Sequence, residues 1–295
     1  VWAAPPARLL ARVRPAGGGL LITTRLPAVT ATLNLRTVSV DVLELAEALE
    51  LLANHRGRPT APAEQPLAEE LVKRLGCHPL GVKLAGAQLA LRGRSWQTLL
   101  EPLQRQQGAG PAALQLSADD REASLQVCFD LSYGLLVEED QRRYRWLGVL
   151  AAEAPFGETD AAALWRPEVE VQQEEFGSSV GESVRALLDA ALLDPVLDAE
   201  TTSRYRQHLL LREDALRRLS DDERAAALKQ HASICVKVAE SAGREENRRS
   251  VERSYAQIEA VLRRSWRAWQ DSEDYIGDGL SYTKADALKY LNALG

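Results

Sequence analysis

The sequence predicts a mainly α-helical chain built from several domains. Three observations carry that expectation. Apolar residues recur at helical spacing over most of the 295 residues. Only one run, Leu20 to Thr23, reads as a buried parallel-type strand. Two short extended runs late in the chain, Leu192 to Leu197 and Arg204 to Arg206, flank a polar turn and read as a small hairpin.

The elements follow in order. Ala7 to Val13 reads as a helix end, broken by Pro15 and Gly17 to Gly19. Leu20 to Thr23 is the strand, stopped by Pro27. Asp41 and Glu44 form a capping-box-like start for a helix over Val42 to Ala53, with Val42, Leu45, Ala46, Leu49, Leu52 and Ala53 on one face. Gly57 and Pro59 end it, and Pro59 to Pro66 reads as loop. A second helix, Leu67 to Leu75, stops at Gly76, a residue suited to a left-handed C-cap. Pro79 opens a third helix to about Leu91, because a first-turn proline lacks only an N–H that has no partner there. Ser95 caps a fourth. Gln106 to Pro111 reads as a flexible connection.

Ser124 to Leu135 and Glu138 to Leu150 read as paired helices and Val184 to Leu193 as a third. Three helices followed by a hairpin is the order of a winged helix. Beyond His208 the chain is helical again, with a long helix from Asp221 to about Ala239, a break at Gly243 to Asn247, and helices over Ser254 to Trp269 and Lys284 to Leu294. No repeat is evident.

Composition excludes several classes. Hydrophobic residues at 45% and charged ones at 26% suit a soluble globular protein. A net charge of -6 disfavours a nucleic-acid surface. No apolar run approaches the roughly 20 residues that span a bilayer, and no secretory signal is visible, so no membrane partner and a cytoplasmic location are expected. Cys77, Cys128 and Cys235 are far apart and read as reduced thiols. The chain contains no Met and reads as a fragment or a processed piece.

The candidate chemistry is sparse. Gly17 to Gly19 precede a strand and lack the Lys-Ser/Thr pair of a phosphate loop, so they read as a turn. Thr24 and Arg25 stand at the C-terminal end of the strand, where open α/β sheets gather ligands, and Arg25 could reach a terminal phosphate; a solvated strand-end charge is the plainer alternative. His78, Pro79 and Leu80 open a helix whose free amides favour an anion by about 0.3–1 kcal/mol; simple helix initiation is the alternative. His208 follows the second hairpin strand and could donate a hydrogen bond to phosphate, or be a satisfied interdomain histidine. His55 and His231 are read as surface residues. The acidic runs Glu64 to Glu70, Glu138 to Asp140 and Asp221 to Glu223 read as solvated helix faces. No metal-ligand spacing and no Gly-x-Ser-x-Gly elbow occurs, so neither a metal site nor a catalytic residue is expected. The candidate recognition helix, Glu182 to Ala190, has one Arg against two carboxylates, which suits protein packing better than DNA.

Together these pieces resemble the NB-ARC class of STAND signalling ATPases, in particular bacterial members with tetratricopeptide sensors. Leu20-Leu21-Ile22-Thr23-Thr24-Arg25 resembles the sensor strand. Gly76-Cys77-His78-Pro79-Leu80-Gly81 resembles the Gly-Leu-Pro-Leu motif. Ser124 to Leu136 resembles the start of the winged-helix domain, and Tyr205-Arg206-Gln207-His208-Leu209 the Met-His-Asp motif, with Gln207 and Leu209 in place of Met and Asp. The likeness covers roughly residues 20 to 215. It implies that Arg25 senses the γ-phosphate, Pro79 packs on adenine and His208 contacts the β-phosphate of ADP, with ATP and magnesium used by the longer parent. It implies residues 1–36 as the end of a nucleotide-binding domain, 37–112 as a helical domain, 113–215 as the winged helix and 216–295 as an extension toward a sensor. The phosphate loop and magnesium-binding strand would precede Val1, so this chain by itself is expected to be inactive and to bind nucleotide weakly. Its partners would be that nucleotide-binding domain, further copies on activation, and a protein or small-molecule stimulus. Two other readings remain open: a nucleotide-independent helical scaffold whose winged helix docks protein, and a DNA-binding transcriptional regulator.

Overall fold

The structure is a computed structural model that describes residue 21, residues 23–24, 36–91, 94–108, 117–166, 173–196, 203–240 and 248–270. It is mainly helical, with a small antiparallel sheet. The chain divides into two compact units, Val1–Val42 and Leu43–Gly295.

In the first unit, Leu21, Thr23 and Thr24 are not in a strand, and Leu21 is 90% exposed. The expectation of a buried strand fails for these residues. An apolar run buries both faces only between neighbouring strands, and the described sheet is built entirely from later residues. Arg25, the helix over Ala7 to Val13, the Gly17 to Gly19 turn and the helix over Lys284 to Leu294 lie outside the described residues.

The second unit begins with α1 (Leu45–Arg56). Its start is one turn later than expected: the N–H of Glu44 donates to Glu47 Oε2 at 3.0 Å, while Asp41 accepts the adjacent Val42 N–H at 2.8 Å. The buried ridge is therefore Ala48, Leu52 and Arg56, and Ala46 is exposed. Gly57 ends the helix at φ 75°. A 3-10 turn (Pro62–Glu64) leads into α2 (Gln65–Arg74) where loop was expected. Glu64 there takes both Arg56 amines, at 2.8 and 2.5 Å, and the indole N–H of Trp96 at 3.3 Å. These bonds, the Arg56 pair first, hold its carboxyl well below the usual range. The acidic run thus starts with an ion-pair hub rather than a solvated face.

Next come α3 (Pro79–Ala90) and α4 (Trp96–Gln107). Ser95 caps α4 as expected, accepting from the Thr98 N–H at 3.4 Å. The expected flexible link is helical through Gln107, whose amide donates to the Arg74 carbonyl at 2.8 Å and to Ser124 Oγ at 2.7 Å. α1 packs across α3 closely enough that a Cβ on Gly86 would stand 2.8 Å from His55 Cβ and 2.9 Å from the Leu52 carbonyl oxygen.

α5 (Ala118–Tyr133) and α6 (Glu138–Leu147) are the expected pair. A strand and a helix that the sequence did not announce follow: β1 (Phe156–Gly157) and α7 (Glu158–Trp165). α8 (Gln173–Asp189) starts well before the expected Val184. The hairpin is as expected, β2 (Asp194–Val196) against β3 (Arg204–Arg206), with Pro195 opposite Tyr205. β1 pairs on the other side of β3 through Phe156 opposite Tyr205, giving the order β1-β3-β2. The succession α6-β1-α7-α8-β2-β3 is the connectivity of a winged helix. Glu182, Arg185 and Asp189 lie exposed along α8.

α9 (Leu209–Arg217), α10 (Asp221–Glu240) and α11 (Arg248–Gln270) complete the described chain, with α11 packed on α10. One apolar core runs without interruption from Ala48 of α1 to Leu228 of α10. A second, small cluster joins Ala232 and Cys235 to Ile258 and Val261. The other two acidic runs are also engaged: Glu139 with Arg142 and Arg143, and Glu223 with Arg145 at 2.5 Å. The expectation of surface exposure for His231 fails, since it is 2% exposed under α11. All three cysteines are free thiols. Among the described residues no helix is long and apolar enough to cross a membrane, and no metal-ligating cluster occurs.

Candidate functional site

The α2–α3 turn sets the position of His78. Gly76 and Cys77 are both left-handed, at φ 58° and 53°. Glycine adopts that conformation without penalty; a β-carbon at Cys77 does not. Two bonds hold the turn closed: Cys77 N–H to the Val72 carbonyl at 3.0 Å, and Leu43 N–H to the Cys77 carbonyl at 3.1 Å. The reversal leaves His78 extended as the N-cap of α3 and Pro79 as its first residue. Pro79 is exposed, whereas Leu80 is 5% exposed and belongs to the core.

His208 is set by the end of β3 and the start of α9. Its Nδ1 accepts the Leu210 N–H at 3.2 Å, so a neutral ring carries its proton on Nε2. The neighbouring Leu209 N–H donates to Glu153 Oε1 at 2.7 Å. Glu153, at φ 58° in the turn before β1, thus holds the backbone next to the histidine. Gln207 is buried, and neither atom of its amide has a hydrogen-bond partner among the described residues.

His208 lies within electrostatic reach of His78. Burial, then the charge of His208, then Arg121, hold the His78 imidazole below its ordinary value. Burial does the same for His208, with Glu153 opposing and Lys83 adding to it. His78 Nδ1 is buried without a hydrogen-bond partner among the described residues. Lys83, one turn into α3, pairs with Asp194 at the start of β2, and both charges also act on His55 at the end of α1. Arg206 of β3 stands 3.6 Å from Glu153.

The site therefore gathers the N-terminus of α3, the end of α1, both hairpin strands and the cap of α9. It offers a helix N-terminus, an exposed proline ring, an Nε2–H donor and two cations, each matched to a carboxylate. Such a set can hold an anion beside a flat apolar face, provided the carboxylates yield their cations. Of the sequence candidates, His78 and Pro79 share one helix start, and His208 lies within electrostatic reach of His78. Thr24 lies in the first unit and is half-buried. Lys83, Asp194, Glu153 and Arg206 were missed; Lys83 and Asp194 are 111 residues apart, and no local pattern links them.

No family model matches the chain. It is 27% identical over 210 residues to the regulatory protein AfsR of Streptomyces griseus, covering 68% of this chain and 19% of that protein. It is 29% identical over 211 residues to the regulatory protein AfsR of Streptomyces coelicolor, covering 70% of this chain and again 19% of the relative. The chain thus spans about a fifth of the length of these curated relatives, and its likeness is to a bacterial regulatory protein.

Proposed function

We propose that the chain is the regulatory part of an NB-ARC-type switch controlled by ADP and ATP. His78 and Pro79 would line the base and sugar side of the nucleotide, and His208 would donate its Nε2–H to the β-phosphate. In the ADP state the helical block and the winged helix are held together. Exchange for ATP removes the His208 contact, frees the winged helix and exposes surfaces for self-association. The phosphate loop, the magnesium-binding carboxylate and the Arg25 contact belong to a longer protein that carries the nucleotide-binding domain.

The observation that carries this reading is that His208, from a distant element, lies within electrostatic reach of His78, whose buried Nδ1 has no hydrogen-bond partner among the described residues. The likeness to regulatory proteins agrees with it. A shift from 1:99 to 99:1 requires about 5.5 kcal/mol of differential binding, and charge-assisted phosphate bonds at about 1.5–3 kcal/mol each are of that order.

The test is calorimetric titration with ADP of a longer protein containing the phosphate loop, beside the 295-residue chain. Tight binding by the longer form, lost by at least tenfold in His208→Ala, is expected. Equal affinity of wild type and His208→Ala refutes the role of His208.

The uninterrupted core from α1 to α10 favours a second reading, a scaffold whose helical block and winged helix stay joined whatever nucleotide is present. Under that reading, ADP and ATP leave proteolytic protection of the α4–α5 connection unchanged in the longer protein.

A further inference from the structure

A cavity lined by neither His78 nor His208 lies between the winged helix and the α10–α11 pair. It encloses about 360 Å3 of atom-free space, part of it open to solvent. The enclosed part has room for little more than a water molecule. Phe156, Leu164, Ile234 and Val238 give it apolar walls. Two buried polar side chains also line it, His231 at 2% and Gln257 at 8% exposure.

The hydrogen-bonding sense of both is determined by their other partners. Arg264 Nη2 stands 2.7 Å from His231 Nδ1. A guanidinium only donates, so Nδ1 accepts and the ring proton sits on Nε2. Arg264 is itself anchored, since Nη1 donates to the Val149 carbonyl at 2.8 Å. Gln257 Oε1 accepts the Ala151 N–H at 2.7 Å, which turns the amide so that Nε2 carries the two hydrogens away from that bond. The Gln257 side chain lies against the imidazole as its polar neighbour, but neither His231 Nε2 nor Gln257 Nε2 has a partner in good hydrogen-bond geometry among the described residues. The cavity therefore presents two buried donors and apolar walls. Asp160 also borders it, with Oδ2 engaged by the Gly157 N–H at 2.8 Å, and its charge repels an anionic guest.

We propose that this junction is a binding site for neutral apolar molecules that carry a hydrogen-bond acceptor oxygen, of the ketone, ester or lactone kind. The oxygen accepts from His231 Nε2–H and Gln257 Nε2–H, and the hydrocarbon part lies against Phe156 and Leu164. The enclosed part admits the carbonyl oxygen, and the rest of the guest extends toward the side open to solvent. Because the donors sit on α10 and α11 and the apolar wall on β1 and α7, a guest tightens the joint between the winged helix and the helical extension. This site is independent of the nucleotide reading.

The test is a titration of the isotopically labelled chain with 2-butanone, and in parallel with n-butylammonium, which is of similar length but can only donate. The ketone should give saturable NMR shifts at the Gln257 side-chain amide and the Ala151 N–H, and intermolecular NOEs to the Phe156 ring. Butylammonium should give neither. Val238→Phe, with far-UV circular dichroism unchanged, should abolish the ketone shifts. Equal response to both probes, or shifts unaffected by Val238→Phe, overturns the proposal. So does a cavity occupied by ordered water only, seen as no saturable shift with either probe. The NOE measurement on the unsubstituted chain decides the matter should Val238→Phe not fold.

Discussion

Lys83 Nζ and Asp194 Oδ1 form an ion pair that ties helix α3 to the first strand of the hairpin. Their side chains are 17% and 28% exposed, so the pair is shielded but not dry. It is the direct polar bond between the element that carries His78 and the sheet that leads to His208.

Lys83→Ala should therefore lower stability by about 1–2 kcal/mol, since one partner is left partly buried and unpaired. Asp194→Asn should cost similar energy. In urea unfolding, the double substitution should cost clearly less than the two singles added together, because the second loss removes the stranded charge. Full additivity would show that the pair contributes nothing of its own.

Gly86→Ala should destabilise the packing of α1 on α3 by about 1–3 kcal/mol. The new methyl would press on the Leu52 carbonyl oxygen at 2.9 Å and the His55 β-carbon at 2.8 Å. Helix propensity by itself favours Ala over Gly by about 1 kcal/mol. A lowered thermal midpoint would show that the close approach outweighs propensity; a raised one would show that α1 can shift without cost.

Tyr144→Phe removes a hydroxyl that donates to the Leu211 carbonyl at 2.8 Å and to Asp214 Oδ2 at 3.2 Å. Tyr144 is fully buried and Asp214 is 1% exposed. Asp214 keeps Arg218 at 2.7 Å and Gln126 at 3.0 Å, so the carboxylate is not stranded. The expected loss is about 1–2 kcal/mol by chemical denaturation, with the α6–α9 contact otherwise unchanged.

Acid should unfold the protein earlier than its carboxylates alone would require. His231 is held well below its ordinary pKa by burial and then by the Arg264 guanidinium. It stays neutral in the fold, while the unfolded chain takes up a proton near pH 6.5. The unfolded state then binds more protons, so stability rises with pH and falls as pH drops below about 6.5. The slope from this one group is at most about 1.4 kcal/mol per pH unit. His78 and His208, also depressed, act in the same direction. Denaturation curves between pH 7.5 and pH 5, as rough limits around that ordinary value, should show the fall, and His231→Asn should flatten it.

Much of the helical order was legible because it rests on local chemistry. Pro79 at a first turn, Ser95 at a cap, Gly57 and Gly76 in left-handed positions and the polar turn between β2 and β3 each act within a few residues. The histidines of the candidate site were legible as members of motifs. Their partners were not: Glu153 sits in an irregular turn, and β1 is two residues long, too short to carry an alternation of its own.

Local spacing and capping thus decide where helices begin and stop, since the bonds concerned close within one turn. Which histidine becomes an exposed neighbour of Lys83 and which is sealed beneath α11 depends on groups brought from far along the chain. Asp194 reaches Lys83 across 111 residues, and Arg264 reaches His231 across 33. Those encounters follow from filling the main core between α1 and α10 and the small cluster between α10 and α11. No window of the sequence contains both sides of them, so burial and charge at the two sites were settled by packing.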